Sequence, residues 1–482
     1  MTLTDKTDIL IIGAGLSGIG AACRLRRECP GKRVIILEAR EVMGGTWDLF
    51  RYPGIRCDTD MYTLGYGFAP FPGGQSIADG AAIRDYIRNT AAEYKVDGLV
   101  RYQHKVIRTE WDSQRKTWWV TAEVGDEEKV YECKFLHCCS GYYRYDKGYQ
   151  PDFPGREQFG GQLVHPQHWP EALDYSGKRV VVIGSGATAV TLVPSMAERA
   201  AHVTMLQRSP SYVLALPRVD PMAKLLDRFL PHKWAYYLTR WKQMAMAMFI
   251  LHLARSKPEK VRSMLRHETV KALGPDYPID EHFNPSYMPF DQRVCFMPDG
   301  DLFKALKSGK ADIVTDRIEH FTATGIQLQS GKHLEADIVV SATGLELLPM
   351  AGLTPIVDGK EVVVSESLVY KGMMLGNVPN FAFTVGYTSV PWTLKADMVS
   401  QYVCRLIKFM DQKGLQACAP SPGANDKPAA DLMDITSGYA QRAAARLPKQ
   451  GELAPWRLHQ NYLRDRIKLF GGRLNDGVMQ FS

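Results

Sequence analysis

The chain has 482 residues, 45% of them hydrophobic and 23% charged, more than one hydrophobic core usually supports, so two or three globular domains are expected. Its net charge of +7 comes from Lys and Arg spread along the chain, without the polybasic tail or aromatic-interleaved stripe that favours nucleic acid. The nine cysteines include no C-x-x-C and no zinc spacing, which argues against a metal site or a redox-active dithiol and fits a reducing cytoplasm. The opening MTLTDKTD has neither the basic nor the apolar region of a secretory signal, so no export is expected.

Residues 8–12 are a short apolar, β-branched run that ends at Gly13-Ala14-Gly15-Leu16-Ser17-Gly18, after which an Ala- and Arg-rich helical pattern begins. Gly13, Gly15, Ser17 and Gly18 thus mark a tight turn whose backbone can approach a pyrophosphate at the positive end of a helix. A second strand over residues 33–37 ends in Glu38, about 20 residues beyond the glycines, where a carboxylate can take both hydroxyls of an adenosine ribose. Residues 44–58, GGTWDLFRYPGIRCD, are too rich in Gly, Pro and aromatics for a regular element and read as an ordered loop. The surroundings of Val106 and residues 117–124 read as a meander, and residues 135–140 return as a strand into Gly141.

Pro151, Pro154 and Gly155 mark a crossover into FGGQLVHPQHWP (159–170), which matches neither nucleotide signature and reads as a hinge between them. Residues 179–183 are a second pre-glycine strand, followed by Gly184-Ser185-Gly186-Ala187-Thr188-Ala189-Val190, with Ala189 in place of the third glycine. The strand over residues 202–207 then ends in Arg208-Ser209, where an NAD site would carry a carboxylate. A guanidinium and a hydroxyl suit a 2′-phosphate, so NADPH is expected over NADH. Residues 217–289 turn helical and then loop-rich. The apolar run 244–254 is too short to span a bilayer, and its aromatic and basic flanks suit packing within this segment, a substrate lip or contact with a membrane surface. Residues 338–344 read as a strand and turn, 381–385 as a strand, 394–410 as a helix and 420–428 as a connector.

The stretch 159–170 is F-x-G-x-x-x-H-x-x-x-W-P, with Phe159, Gly161, His165, Trp169 and Pro170 in the fixed places, and 44–58 is G-G-x-W-x-x-x-x-Y-P-G-x-x-x-D. Together they resemble the motifs of the type I Baeyer–Villiger flavin monooxygenases, and GGTWDLFRYPGIR with FDQRVCFMPDGDLF is most similar to their ethionamide-activating branch. The resemblance covers nearly the whole chain. It implies an α/β fold of two dinucleotide-binding (Rossmann-like) domains: an FAD domain at 1–145 and 381–482, and an NADP domain at 146–215 and 297–380 with a helical insertion at 216–296. It also implies that Thr46, Trp47, Asp48 and Leu49 lie along the flavin, that Arg56, Cys57 and Asp58 border flavin and nicotinamide, and that the Val106 backbone meets the adenine. Arg293, in PFDQRVC, falls on the family's catalytic arginine, and Asp58 is its expected ion-pair partner. Gln292 stands where many relatives carry Lys as a second 2′-phosphate contact. The helix at 394–410 would aim its positive end at the flavin pyrimidine.

The implied reaction takes a ketone, NADPH and O₂ to an ester or lactone, NADP⁺ and water through a C4a-peroxyflavin, with thioether sulfoxidation as a second activity. The partners are then a small-molecule ketone or thioether and O₂, without nucleic acid or metal. An S- or N-oxygenating flavin-containing monooxygenase is the alternative. A flavin disulfide reductase would need a cysteine pair at the flavin, and none is suitably placed. A catalytically silent flavoprotein would differ by consuming no extra NADPH when a ketone is added.

Overall fold

A computed structural model describes residues 2–388, 390–433 and 436–482. Strand β1 (Thr2–Ile12) and helix α1 (Leu16–Glu28) flank the first glycine turn, and β2 (Val34–Leu37) lies parallel to β1 with Ile9 opposite Val34. A continuous apolar run is stable here because both faces of the strand are covered. Ile9 and Ile11 join the core that holds α1, whereas Leu10 and Ile12 join the opposite core with Trp111 and Trp118. Full burial of each such side chain contributes about 1.5–3 kcal/mol.

Next in the chain are α2 (Thr46–Leu49), α3 (Met61–Leu64), α4 (Gly80–Glu93), β3 (Val100–Arg101) and the antiparallel meander β4 (Lys105–Asp112), β5 (Thr117–Val124) and β6 (Glu127–Cys138). Residues 44–58 are therefore not irregular throughout. Gly44 and Gly45 have positive φ and start a helical turn closed by Leu49 N–H to Gly45 O (3.0 Å) and Phe50 N–H to Thr46 O (3.2 Å). The strand expected at 135–140 is the end of the much longer β6. One edge of β6 pairs with β1, and the other pairs first with β5 and then with Phe381–Phe383.

The second sheet is built from β7 (Gln162–Val164), β8 (Arg179–Ile183), the helix α5 (Ala187–Met196) and β9 (His202–Gln207). The chain continues through β10 (Val213–Leu216), α6 (Pro221–Phe229), α7 (His232–Ser256), α8 (Pro258–Leu273), α9 (Ile279–His282), β11 (Cys295–Pro298), α10 (Asp301–Lys307) and β12 (Ala311–Thr315). Its parallel strand order is β12, β9, β8, Ile338–Ser341, β7. The expected hinge at 159–170 thus supplies an edge strand, with Val164 opposite Val340. Helices α6 to α9 fill the segment expected to be helical, and 244–254 lies inside α7. Among the described residues no helix is long and apolar enough to cross a membrane.

Pro355–Val357 already pairs with β4 of the first sheet, Ile356 opposite Glu110, so the chain returns there well before residue 381, where the boundary was expected. Ladder hydrogen bonds decide this return, and a strand of three residues leaves little pattern to read. The following helix is Trp392–Lys413, longer than the expected 394–410. Ser389, in its lead-in, lies outside the described residues. The Asp397 carboxylate of this helix accepts from Arg24 of α1 at 2.6 Å, which ties the two helices together on one face of the sheet.

Candidate active site

At the carboxyl ends of β1 and β6, where open α/β sheets bind ligands, lies a cavity of about 750 Å³. Gly13, Gly15, Ser17, Glu38, Thr46, Trp47, Cys57, Asp58, Val106 and Arg293 all line it, although the sequence scatters them over 281 positions. Gly18, Asp48, Leu49 and Arg56 do not. Gly18 is behind the turn, where a Cβ would come 1.8 Å from the Gly13 carbonyl oxygen. Leu49 packs into the core of the second sheet. Arg56 is paired with Asp301 at the start of α10 and has little exposed surface. Asp48 is buried among Arg40, Arg88 and Arg51.

The first glycine turn is shaped for close backbone contact. Gly13 has φ +99° and a Cβ there would stand 2.8 Å from Cys139 O, while Gly15 and Gly45 meet so closely that a Cβ on Gly45 would lie 2.9 Å from Gly15 Cα. Gly15 caps α1 without any side-chain hydrogen bond, so the first N–H groups of that helix remain for an anion. Glu38 stands at the cavity edge. One carboxylate oxygen accepts from Ala14 N–H (2.7 Å) and the other from Arg40 N–H (3.0 Å), and burial pushes its pKa up against these contacts. Burial also drives the Cys57 thiol up to about 12, so it carries no thiolate at neutral pH.

The second turn repeats this design with a difference. Gly184 has φ +139° and packs on Ala342, whose carbonyl oxygen would be 2.4 Å from an added Cβ, whereas a Cβ on Gly186 would meet nothing within 4 Å. Gly186 caps α5 without a side-chain bond, so these N–H groups also face open space. Ala189 is fully buried where the first turn uses Gly18, and its methyl joins the core of the second sheet. Ala187, Thr188 and Val190 continue this first turn of helix, and the Ser185 hydroxyl lies 2.9 Å from Ser211 Oγ. Arg208 and Ser209 are exposed just beyond β9, beside the turn through the bond from Gly184 N–H to Leu206 O (2.8 Å). Among the described residues no ion pair engages Arg208. The sites fit two dinucleotides, each with a glycine turn, an uncapped helix start and a charged residue directly after the next strand.

Arg293 and Asp58 face each other with Nη1 and Oδ2 3.7 Å apart. The guanidinium is 40% accessible because it looks into the cavity. Its Nη2 donates to the Tyr142 hydroxyl at 3.4 Å, and that hydroxyl is 3.1 Å from Tyr143 OH. The phenols, Tyr439 foremost, with Tyr142, Tyr143 and Asp58, hold the Arg293 pKa well above its ordinary value, so its charge is permanent. Trp392 stacks on Tyr142 with ring centres 4.8 Å apart and donates its indole N–H to Ser17 Oγ at 2.8 Å. Gly386 permits this, since a Cβ there would come 2.4 Å from the indole. The start of the Trp392–Lys413 helix, capped by no side chain, lines the same cavity. Leading into Arg293, Phe290 holds φ +71°, an uncommon backbone state for an aromatic residue.

Tyr142, Tyr143, Tyr439 and Trp392 escape a reading of sequence alone. The one local signal is the paired tyrosine directly after Ser140-Gly141 at the end of a strand. The stretch 159–170 acts on this wall from behind. His165 packs on Gly148, where a Cβ would sit 2.0 Å from the ring, and Gln167 donates to Arg144 O (2.8 Å) and Tyr145 O (3.0 Å). His168 meets Asp146 O at 3.1 Å. These contacts clamp residues 144–148, the chain that follows the cavity tyrosines.

Two glycine turns, each opening an uncapped helix beside a parallel strand, define a two-dinucleotide α/β protein. Residues 75–347 match the model of the flavin-binding monooxygenase-like family, and residues 11–75 that of the NAD(P)-binding Rossmann-like domain. Over its whole length the chain is 48% identical to the FAD-containing monooxygenase EthA of Mycobacterium tuberculosis, covering 98% of that protein. It is 47% identical, over 99% of its length, to the probable FAD-binding monooxygenase AlmA of an Acinetobacter species, covering 97% of it. The chain belongs to the flavin-binding monooxygenase-like family. Its fold is that of cyclohexanone monooxygenase from Rhodococcus sp. Phi1 bound to NADP⁺ (TM-score 0.78, 19% identity, all of both chains) and of an oxidized steroid monooxygenase bound to NADP (TM-score 0.75, 21% identity, 99% of each).

Proposed function

We propose that the protein is an FAD- and NADPH-dependent Baeyer–Villiger monooxygenase that converts ketones to esters or lactones with O₂ and oxidises thioethers to sulfoxides. The observation that carries this reading is the permanently charged Arg293, held by Asp58 and Tyr142 in the wall of a cavity that also contains the first glycine turn. Bound FAD would supply the oxygen chemistry and NADPH the hydride. The chain's own residues do the rest. Backbone N–H groups at the starts of α1 and α5 hold the pyrophosphates, and Glu38 orients the adenosine ribose of FAD. Arg293 stabilises the negative charge that develops on the oxygen of an attacked ketone. Asp58 and Tyr142 fix its orientation, and the Tyr142–Trp392 stack supplies an apolar part of the cavity wall.

The deciding experiment is a panel of linear, cyclic and aryl ketones and thioethers, followed by NADPH consumption and product mass. Ketone-stimulated consumption with products heavier by one oxygen is expected. Oxygenation of thioethers or amines with every ketone untouched would favour the alternative monooxygenase class.

Cofactor choice gives a separate test. Exposed Arg208 and Ser209 after β9 support a 2′-phosphate contact there, and a charge-assisted phosphate contact contributes roughly 1.5–3 kcal/mol. Arg208→Ala should therefore raise KM for NADPH by about 10- to 100-fold and leave KM for NADH almost unchanged. Equal shifts for both coenzymes would place the 2′-phosphate elsewhere.

A further inference from the structure

Helices α6 and α7 form a hairpin whose outer face is apolar. Met222, Leu225 and Phe229 recur at helical spacing on α6, and Trp234, Leu238 and Trp241 do so on α7, all of them exposed. Phe229 is 73% and Trp234 66% accessible, far more than a side chain partnered by its own domain. The stripe continues two turns further along α7 to Phe249. Isolated exposed hydrophobics are ordinary, but a continuous stripe along two adjoining helices marks an interaction surface.

The hairpin is firmly seated, so the exposure does not come from a detached helix. Asp220 caps α6 through Met222 N–H (2.9 Å) and Ala223 N–H (3.1 Å), and its carboxylate also pairs with Lys242 of α7. On the inner face of α7, Tyr236 donates to Tyr62 O (3.2 Å), Tyr237 to Gly67 O (3.2 Å) and Arg240 to Gly65 O (2.8 Å). The outward stripe is what this packing leaves.

Charge selects the occupant. Residues 216–260 contain nine Lys or Arg against three Asp or Glu; Arg240 is turned inward and Lys242 is paired with Asp220, which leaves six exposed Lys or Arg against two exposed Asp or Glu. Lys224, Arg228 and Lys233 are exposed beside the apolar stripe. A second copy of this face would set that surplus against itself, because an isologous contact joins identical patches. An anionic bilayer surface meets both features: Trp, Phe and Leu enter the headgroup boundary while Lys and Arg meet the lipid phosphates. We infer that the α6–α7 hairpin is an interfacial docking surface for anionic lipid membranes, lying in the plane of the bilayer.

The test uses the full chain with FAD bound and vesicles of phosphatidylcholine, either pure or with about one-third phosphatidylglycerol. The protein should sediment with the anionic vesicles, about ten-fold less with the neutral ones, and the difference should shrink at high salt. Trp234→Ser with Trp241→Ser should cut the partition coefficient on anionic vesicles about ten-fold, as loss of buried apolar area requires. Lys224→Glu with Lys233→Glu should do the same without touching the apolar stripe, and serves alone if the tryptophan pair does not fold. The absorbance of bound FAD and the thermal midpoint should match wild type in the lysine pair. Vesicle binding indifferent to both pairs, or absent in wild type, would overturn the inference. So would a solution dimer, seen by light scattering, that the tryptophan pair converts to monomer.

Discussion

In Arg293→Ala, ester formation from a ketone should fall by about 10²- to 10³-fold while NADPH and O₂ are still consumed, now yielding NADP⁺ and hydrogen peroxide. The expectation rests on position and charge. Arg293 faces the cavity from the segment before β11, whereas the groups that would hold FAD come from the turns after β1, β2 and α1, and α2, so removing the guanidinium leaves that cradle intact. The bound-FAD spectrum should accordingly be unchanged. Arg293→Lys keeps the charge but not the planar fork that reaches Asp58 and Tyr142 together, so it should recover only part of the product yield. Asp58→Ala should slow NADPH-driven FAD reduction as well, since by the same reading Asp58 borders the nicotinamide. Product is measured by mass and hydrogen peroxide by a coupled peroxidase assay. Wild-type ester yield in Arg293→Ala, without added peroxide, would remove Arg293 from the reaction.

The two glycine turns were legible in the sequence because their physics is local. A β-branched run, glycines at fixed spacing and a helical pattern lie within some thirty residues, and Glu38 and Arg208 end the very next strands. The long strand β6 was half hidden, since the charged EEKVYEC pairs with two neighbours and needs no apolar run to be a strand. The wall around Arg293 was legible only in part. Asp58 and Arg293 were marked by motif, yet Tyr142, Trp392 and Tyr439 come from three segments 47 to 297 residues apart. Nothing in the sequence near Trp392 says that Gly386 clears room for its indole or that its N–H reaches Ser17. Asp48 shows the opposite limit. The motif placed it along the flavin, and its motif position does not reveal that three arginines take its carboxylate.

Asp48→Ala should destabilise the protein by about 3 kcal/mol, near the lower end of what breaking a buried ion pair costs. The Asp48 side chain is 1% exposed, and one oxygen accepts from Arg40 at 2.8 Å with Arg51 at 3.6 Å, while the other meets Arg88 at 3.1 Å. Alanine removes the shared anion at once. The arginines keep 25–48% of their side-chain surface in water, which lets them rehydrate and holds the loss to the lower end. The strands and helices joined here are distant: Arg40 follows β2, Arg88 belongs to α4, and Asp48 sits in the helical turn that presents Thr46 and Trp47 to the cavity. Asp48→Asn keeps an acceptor without the charge and should lose about half as much. Urea unfolding of the FAD-loaded protein measures the stability loss, and titration with FAD measures any loss of affinity. The stability loss should exceed whatever the FAD dissociation constant accounts for. If a weaker dissociation constant explained all of it, Asp48 would act through the cofactor and the arginine hub would be incidental to stability.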